Sequence, residues 1–399
     1  MRADGRRARA TDSPMRLIYP LMWSRPDRKA CREQSVNTAA ALARRGVEVI
    51  LLMPRGAEDP ALTPADLRAY FGVEGDFRLV QRPSRWAGEA LVRTLMWLRQ
   101  VWRDPELRGA DLLYSRIPAM LALGGRSPLP FAVDHYRPWP DDLPAIRPLI
   151  RRSARSPLCL GFILHSAFAA SSYARAGIAP EKILVAHNGA EPRRMGPPGE
   201  KGAARAALGL PADRFIAAYA GRINAQKGLD QLLALADLRA ETLFLLIGSE
   251  GEGAIEAAAA ARPNVRILPW QAPADLPAWL HAADVLLIPP SSAPLERFRN
   301  CVLPLKLFSY LAAGRPILAP LAPDTAELLS DGDNALLVPA GEPEAAAAAL
   351  DRLRDPALAA RLGAAAYARS AELTWDARAE KIHAFLAARL ANVETSSRT

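Results

Sequence analysis

The sequence predicts an α/β protein of two doubly wound parallel-sheet domains facing a central cleft. Three observations carry that expectation. Short apolar runs alternate with amphipathic helical segments along the 399 residues, as strand–helix crossovers of a parallel sheet require. The length exceeds that of one ordinary hydrophobic core. Between the two halves, residues 192–201 hold three prolines and two glycines, and the alternation restarts beyond them.

Taken in order, residues 1–14 are basic and polar and lack the apolar core of a secretory signal; they are expected to be a disordered leader. Strands are expected at 16–20, 47–53, 111–114, 131–133, 159–164 and 182–186, with a helix over 34–45 closed by Gly46. These make an N-terminal domain over 15–190, followed by a linker over 191–201. In the second domain, 202–374, strands are expected at 215–220, 242–247, 265–268, 285–288, 316–319 and 335–338. A last helix over 375–390 is expected to cross back to the first domain, ahead of a disordered tail over 391–399. Binding is expected where the carboxyl ends of the strands meet the cleft.

Composition narrows the classes. Half of the residues are hydrophobic and 23% are charged, a globular balance rather than a disordered one. Cys31, Cys159 and Cys301 lie far apart and show no metal-ligand spacing, which suits a reducing cytoplasm. No apolar run approaches the roughly 18 residues of a membrane-spanning helix. The net charge of +9 favours an anionic partner, but nucleic acid is excluded for want of a zinc-finger or aromatic RNA-binding signature.

The most informative stretch runs from Phe215 to Gly228. An apolar strand breaks at Gly221 into a loop carrying Arg222 and Lys227, and a helical pattern follows. A strand, a basic loop and a helix N-terminus present backbone N–H groups, the positive end of the helix dipole and two cations to one point. That arrangement suits a diphosphate. A nicotinamide dinucleotide is disfavoured, because no Gly-x-Gly-x-x-Gly follows the first strand, and no Walker-type loop occurs. Asp331-Gly332-Asp333 has the spacing of a metal-binding carboxylate pair, yet Ser330, Gly332 and Asn334 mark a tight turn, so no metal is expected there.

The second half resembles the GT-B glycosyltransferases of family 4. The resemblance rests on Gly221-Arg222 with Lys227-Gly228, on Ile247-Gly248 before a glycine-rich turn, and on Ala282-Ala283-Asp284. It continues through the run from Pro304 to Pro316, the run from Ala326 to Val338, and Thr374-Trp375. The pieces occur in family order over 186–390. In the first half, Asp134-His135 stands where such enzymes carry an acid-His element. What the resemblance implies is a GT-B fold of two Rossmann-like domains, a nucleotide-sugar donor and no cofactor. It further implies metal-independent, retaining transfer to a glycan or lipid-linked acceptor, in envelope polysaccharide or glycolipid synthesis.

Carried onto this chain, Arg222 and Lys227 would hold the diphosphate, with Gly221, Gly248, Lys306 and Leu307 beside the nucleotide. The family's ribose-binding glutamate position is Ser309 here, and Cys301, eight residues earlier, is not acidic either. Glu296 is the nearby carboxylate that could compensate. His135 would contact the donor sugar near the reacting carbon, and Gln34, Ser35 and Asn37 would stand on the acceptor side. Ser309 keeps a second reading open, a non-catalytic GT-B subunit that binds a sugar nucleotide or scaffolds a partner enzyme.

A separate signal lies at 82–103. Leu91, Leu95, Leu98 and Trp102 recur at helical spacing near Trp86 and Trp97, with Arg93, Arg99 and Arg103 among them. Such a helix either packs on the first sheet or lies in an anionic lipid surface. Arg147, Arg151, Arg152 and Arg155 form a second basic cluster. The expected location is cytoplasmic, with peripheral contact at the inner leaflet if the lipid reading holds.

Overall fold

The structure, a computed structural model, describes residues 14–84, 90–292, 303–323 and 325–396. The chain divides into two compact units, one formed by residues 1–187 with 375–399 and the other by 188–374.

In the first unit seven parallel strands lie in the order β3-β2-β1-β4-β5-β6-β7. They are β1 (Arg16–Pro20), β2 (Glu48–Arg55), β3 (Arg78–Pro83), β4 (Leu112–Ser115), β5 (Phe131–His135), β6 (Cys159–Leu164) and β7 (Ile183–Val185). The sequence reading found six of these and missed β3. That strand is an edge whose residues are all half-buried or exposed, so it shows no apolar run to read. The first helix, Ala30–Arg44, starts four residues before Gln34.

The second unit has six parallel strands in the order β10-β9-β8-β11-β12-β13. These are β8 (Ile216–Ala220), β9 (Leu243–Ser249), β10 (Val265–Pro269), β11 (Val285–Leu287), β12 (Ile317–Pro320) and β13 (Leu336–Val338). Helices cover both faces, so every β8 side chain is buried: Ile216, Ala218 and Ala220 join one core cluster, Ala217 and Tyr219 the other. This two-sided burial is why parallel strands read as unbroken apolar runs. Residues 192–201, expected as a linker, belong to the second unit and begin with the short helix Pro192–Met195. Proline at the first helical position starts a helix rather than breaking one.

The last helix, Trp375–Ser396, belongs to the first unit. It is tied to the first helix by Arg44–Asp376 at 2.6 Å and Arg45–Glu380 at 3.2 Å. In both sheets the strand order reverses once, between β1 and β4 and between β8 and β11. Such switch points open a crevice at the carboxyl ends of the strands. Among the described residues no helix is long and apolar enough to cross a membrane.

Candidate functional site

At the switch point of the second unit, Tyr310 spans the two diverging strands. Its hydroxyl accepts from the Ala220 N–H at 2.7 Å and donates to the Leu287 carbonyl at 3.4 Å. Just beyond β8, Gly221 has φ 146° and lies against Lys306, where a Cβ would come within 2.8 Å of Nζ. Gly248, at the same edge on β9 with φ 124°, packs so closely that a Cβ would overlap the Gly221 carbonyl oxygen. Backbone conformation therefore calls for glycine at both positions, and at Gly248 space does as well.

Lys306 projects from the first turn of the Leu305–Ala313 helix, and its ammonium sits 3.4 Å from the centroid of the Tyr219 ring. Among the described residues the ammonium makes this cation–π contact and no hydrogen bond or ion pair. Burial pushes this amine well below the usual lysine range, and the charge on Lys227 adds to the shift. Arg222 is exposed, and its guanidinium is likewise without a hydrogen bond or ion pair among the described residues. Its backbone is fixed, since the Arg222 carbonyl accepts from the Tyr219 hydroxyl at 3.0 Å. The ten-residue Leu229–Leu238 helix starts at Gly228 with no side-chain cap, leaving its first N–H groups for solvent or a ligand. Bare glycine backbone, a desolvated ammonium and an uncapped helix start are the features of an anion site.

Not every expected residue lines it. Leu307 is fully buried in the core, so its side chain is core packing and not a nucleotide contact. Ser309 is half-buried on the same helix as Lys306. Glu296 and Cys301 lie outside the described residues, as does Trp86. Asp331 is committed to its turn, with Oδ1 accepting from the Leu337 N–H at 2.8 Å beside Gly332 at φ 71°.

In the first unit the carboxyl ends of β4, β5 and β6 converge on Asp134, whose side chain is fully buried. Its Oδ2 accepts from Tyr114 at 2.5 Å, Arg378 at 2.8 Å and Gln34 at 3.1 Å. Oδ1 faces His165 Nε2 at 2.7 Å, with the Arg116 guanidinium at 3.9 Å. Burial by itself would raise the Asp134 pKa; Arg378, His165 and Arg116 outweigh it and hold the carboxyl well below its ordinary value. Desolvation pushes His165 down to about 3, so it is neutral and donates from Nε2. His135, at the end of β5, is buried and accepts at Nδ1 from Trp139 Nε1 at 2.8 Å. Desolvation and then Arg116 hold its pKa well below the usual histidine range.

Of the three acceptor-side residues, only Gln34 reaches the Asp134 cluster. Ser35 accepts from Tyr19 at 3.2 Å and donates to the Cys31 carbonyl, while Asn37 donates to the Glu33 carbonyl at 2.8 Å. Sequence reasoning missed Tyr114, Arg116 and Arg378 as members of this cluster, and read His165 as a packed histidine that could line the cleft. Arg116 and His165 directly follow β4 and β6, so the rule that side chains at strand carboxyl ends converge could have found them. Arg378 carried no such signal.

Residues 34–194 match the family model described as Glycosyltransferase Family 4, and residues 214–355 match the one described as Glycosyl transferases group 1. The chain belongs to the family 4, group 1 glycosyltransferases. Among curated relatives, the D-inositol 3-phosphate glycosyltransferase of Streptomyces scabiei is 34% identical over 218 residues, covering 50% of this chain and 47% of that protein. This family 4 chain thus spans about half the length of the curated relatives it matches. The crystal structure of Anabaena HepE with UDP-glucose superimposes with a TM-score of 0.70 at 16% identity, covering 94% of this chain and 100% of that one. Sucrose-phosphate synthase of Thermosynechococcus elongatus gives 0.72 at 17% identity, covering 95% and 100%. At such identities the likeness is one of fold, and the fold is GT-B.

Proposed function

We propose that this family 4 member moves a sugar from a nucleoside-diphosphate sugar to a glycan or lipid-linked acceptor. The transfer is metal-independent and retains the anomeric configuration, and it serves envelope polysaccharide or glycolipid synthesis. One observation carries the reading: Lys306, half-buried against Gly221 and Tyr219, has no anionic partner among the described residues, at the switch point that also presents Arg222 and Lys227. A desolvated, unpaired ammonium is costly unless an anion joins it. The UDP-glucose in the HepE crystals supports a nucleotide-sugar as that anion.

The chemistry follows from charge. As the bond between the anomeric carbon and the diphosphate lengthens, negative charge grows on the leaving phosphate oxygens. Arg222, Lys227 and Lys306 neutralise it, with the bare backbone at Gly221 and Gly248 allowing close approach. His135, held neutral, offers the donor sugar an uncharged imidazole. Ser309 supplies the nucleoside with a single hydroxyl where a carboxylate would accept two hydrogen bonds.

Calorimetry with UDP and GDP tests the reading. Saturable binding that weakens on the order of a hundredfold in the Arg222→Ala/Lys227→Ala double variant supports it, whereas undiminished uptake overturns it. Ser309 favours one rival, a non-catalytic subunit that binds the nucleotide without turnover. Hydrolysis of a nucleotide-sugar panel decides between them: release of a nucleoside diphosphate removes the rival.

A further inference from the structure

Apart from the anion site, the first unit carries a cavity of about 530 Å³ at the carboxyl ends of β1, β2 and β3, a volume typical of small-ligand sites. Among its described lining residues are three cations, Arg25, Arg32 and Arg93, against one carboxylate, Asp59. Trp23 and Trp97, both buried, give it an apolar wall.

Two of the cations are already engaged. Arg25 pairs with Asp59, whose second oxygen accepts from the Gly56 N–H at 2.8 Å. Arg32 pairs with Asp27 at 2.9 Å and covers the Trp23 ring at 5.4 Å. The Arg25–Asp59 pair ties the segment after β1 to the one after β2. Arg93 differs. It is exposed, on the Ala90–Val101 helix, and makes no hydrogen bond or ion pair among the described residues.

The same helix sets an apolar fringe beside that free cation. Trp97 and Leu98 are buried, as the packing reading of this helix expected, but Leu91 and Leu95 are 65% and 39% exposed. Met22, at the cavity wall, is 42% exposed. Ala90, Arg93, Thr94 and Trp97 face the cavity, and Leu91 and Leu95 each stand one residue, about 100°, further round the helix.

We propose that this cavity binds the phosphate of an acceptor in which that phosphate links a sugar to an apolar chain. Arg93 takes the phosphate, the tryptophan wall takes the sugar ring, and Leu91, Leu95 and Met22 take the start of the chain. A soluble phosphosugar would leave the exposed leucines without a role, and an uncharged lipid would leave Arg93 without one. The proposal rests on the lipid-linked form of the transferase reading and gives that acceptor its chemistry.

The test uses the full chain and three probes: farnesyl phosphate below its micellar concentration, farnesol and glucose 1-phosphate. Tryptophan fluorescence reports binding, because Trp23 and Trp97 line the cavity. Farnesyl phosphate is expected to bind saturably and more tightly than either other probe. Arg93→Ala weakens it about tenfold, Arg93→Lys retains most of the affinity, and Leu91→Ser/Leu95→Ser weakens it by a similar factor. Both changes are on exposed side chains, and UDP calorimetry on the same preparations is expected to be unaltered. The proposal is overturned if farnesol binds as well as farnesyl phosphate, or if Arg93→Ala has no effect. Equal binding of glucose 1-phosphate with a silent leucine variant would assign the cavity to a soluble phosphosugar instead. Failure of UDP binding in the parent protein would strike the donor site and leave the cavity result standing.

Discussion

Replacing Arg378 by methionine removes a guanidinium while keeping most of the side-chain volume. The pair it breaks is almost wholly enclosed: the side chains of Arg378 and Asp134 are 1% and 0% exposed, and the charged groups meet at 2.8 Å. Removing one partner of a buried pair costs about 3–5 kcal/mol, because the remaining charge loses its counter-ion without regaining water. Tyr114, Gln34 and His165 still donate to the carboxylate and Arg116 stays at 3.9 Å, which points to the lower end, about 3 kcal/mol. For a unit of this size the melting temperature falls roughly 2–4 °C per kcal/mol, so a drop of about 6–12 °C is expected in a thermal melt followed by circular dichroism. The loss has a pH signature. The Asp134 pKa is depressed in the folded state, so its stabilisation is fully present above the unfolded carboxylate value near 3.9 and is lost as pH falls through the folded one. The gap between parent and variant should therefore be full at pH 7 and shrink below about pH 4. Adding Asp134→Asn to Arg378→Met should recover part of the loss, with a coupling of about 1–3 kcal/mol. A single-variant loss under about 1 kcal/mol, or a gap that widens on acidification, would refute the assignment of Asp134 as a buried anion held by Arg378.

Further outcomes follow from the anion site and its surroundings. Lys306→Met should leave the unliganded protein as stable or more stable in urea, since a desolvated charge is removed, yet weaken UDP binding by about tenfold or more. Because burial lowers this amine's pKa and a bound diphosphate raises it, UDP binding should take up protons in the parent and less in the variant. Calorimetry in two buffers of different ionisation enthalpy reads the difference. Gly248→Ala should cost at least about 2 kcal/mol in denaturant melts, combining a left-handed φ with overlap on the Gly221 carbonyl. Gly251→Ala, with φ 138° but nothing within 4 Å, should cost about half as much.

How much the sequence discloses depends on the range of the physics involved. Strands buried on both faces were legible because burial itself writes an apolar run, as in Ile216–Ala220 and Cys159–Leu164. The edge strand Arg78–Pro83 was not, since half-exposure leaves no such record. Arg222 and Lys227 stood out because strand, loop and helix follow one another locally. The contact between Lys306 and Tyr219 joins residues far apart in the chain and becomes visible only once β8 and the Leu305–Ala313 helix are adjacent. Residues 192–201 misled in the opposite sense: their prolines suggest a connector, whereas Pro192 opens a helix of the second unit.

The return of the last helix to the first unit has a consequence during synthesis. Asp134 leaves the ribosome 244 residues ahead of Arg378, an interval of about 12–50 s at roughly 5–20 residues per second. Throughout that time the nascent first sheet holds an acid whose main counter-charge does not yet exist. The second unit, complete by residue 374, is free to fold before the unit that precedes it, reversing the usual amino-to-carboxyl order of assembly.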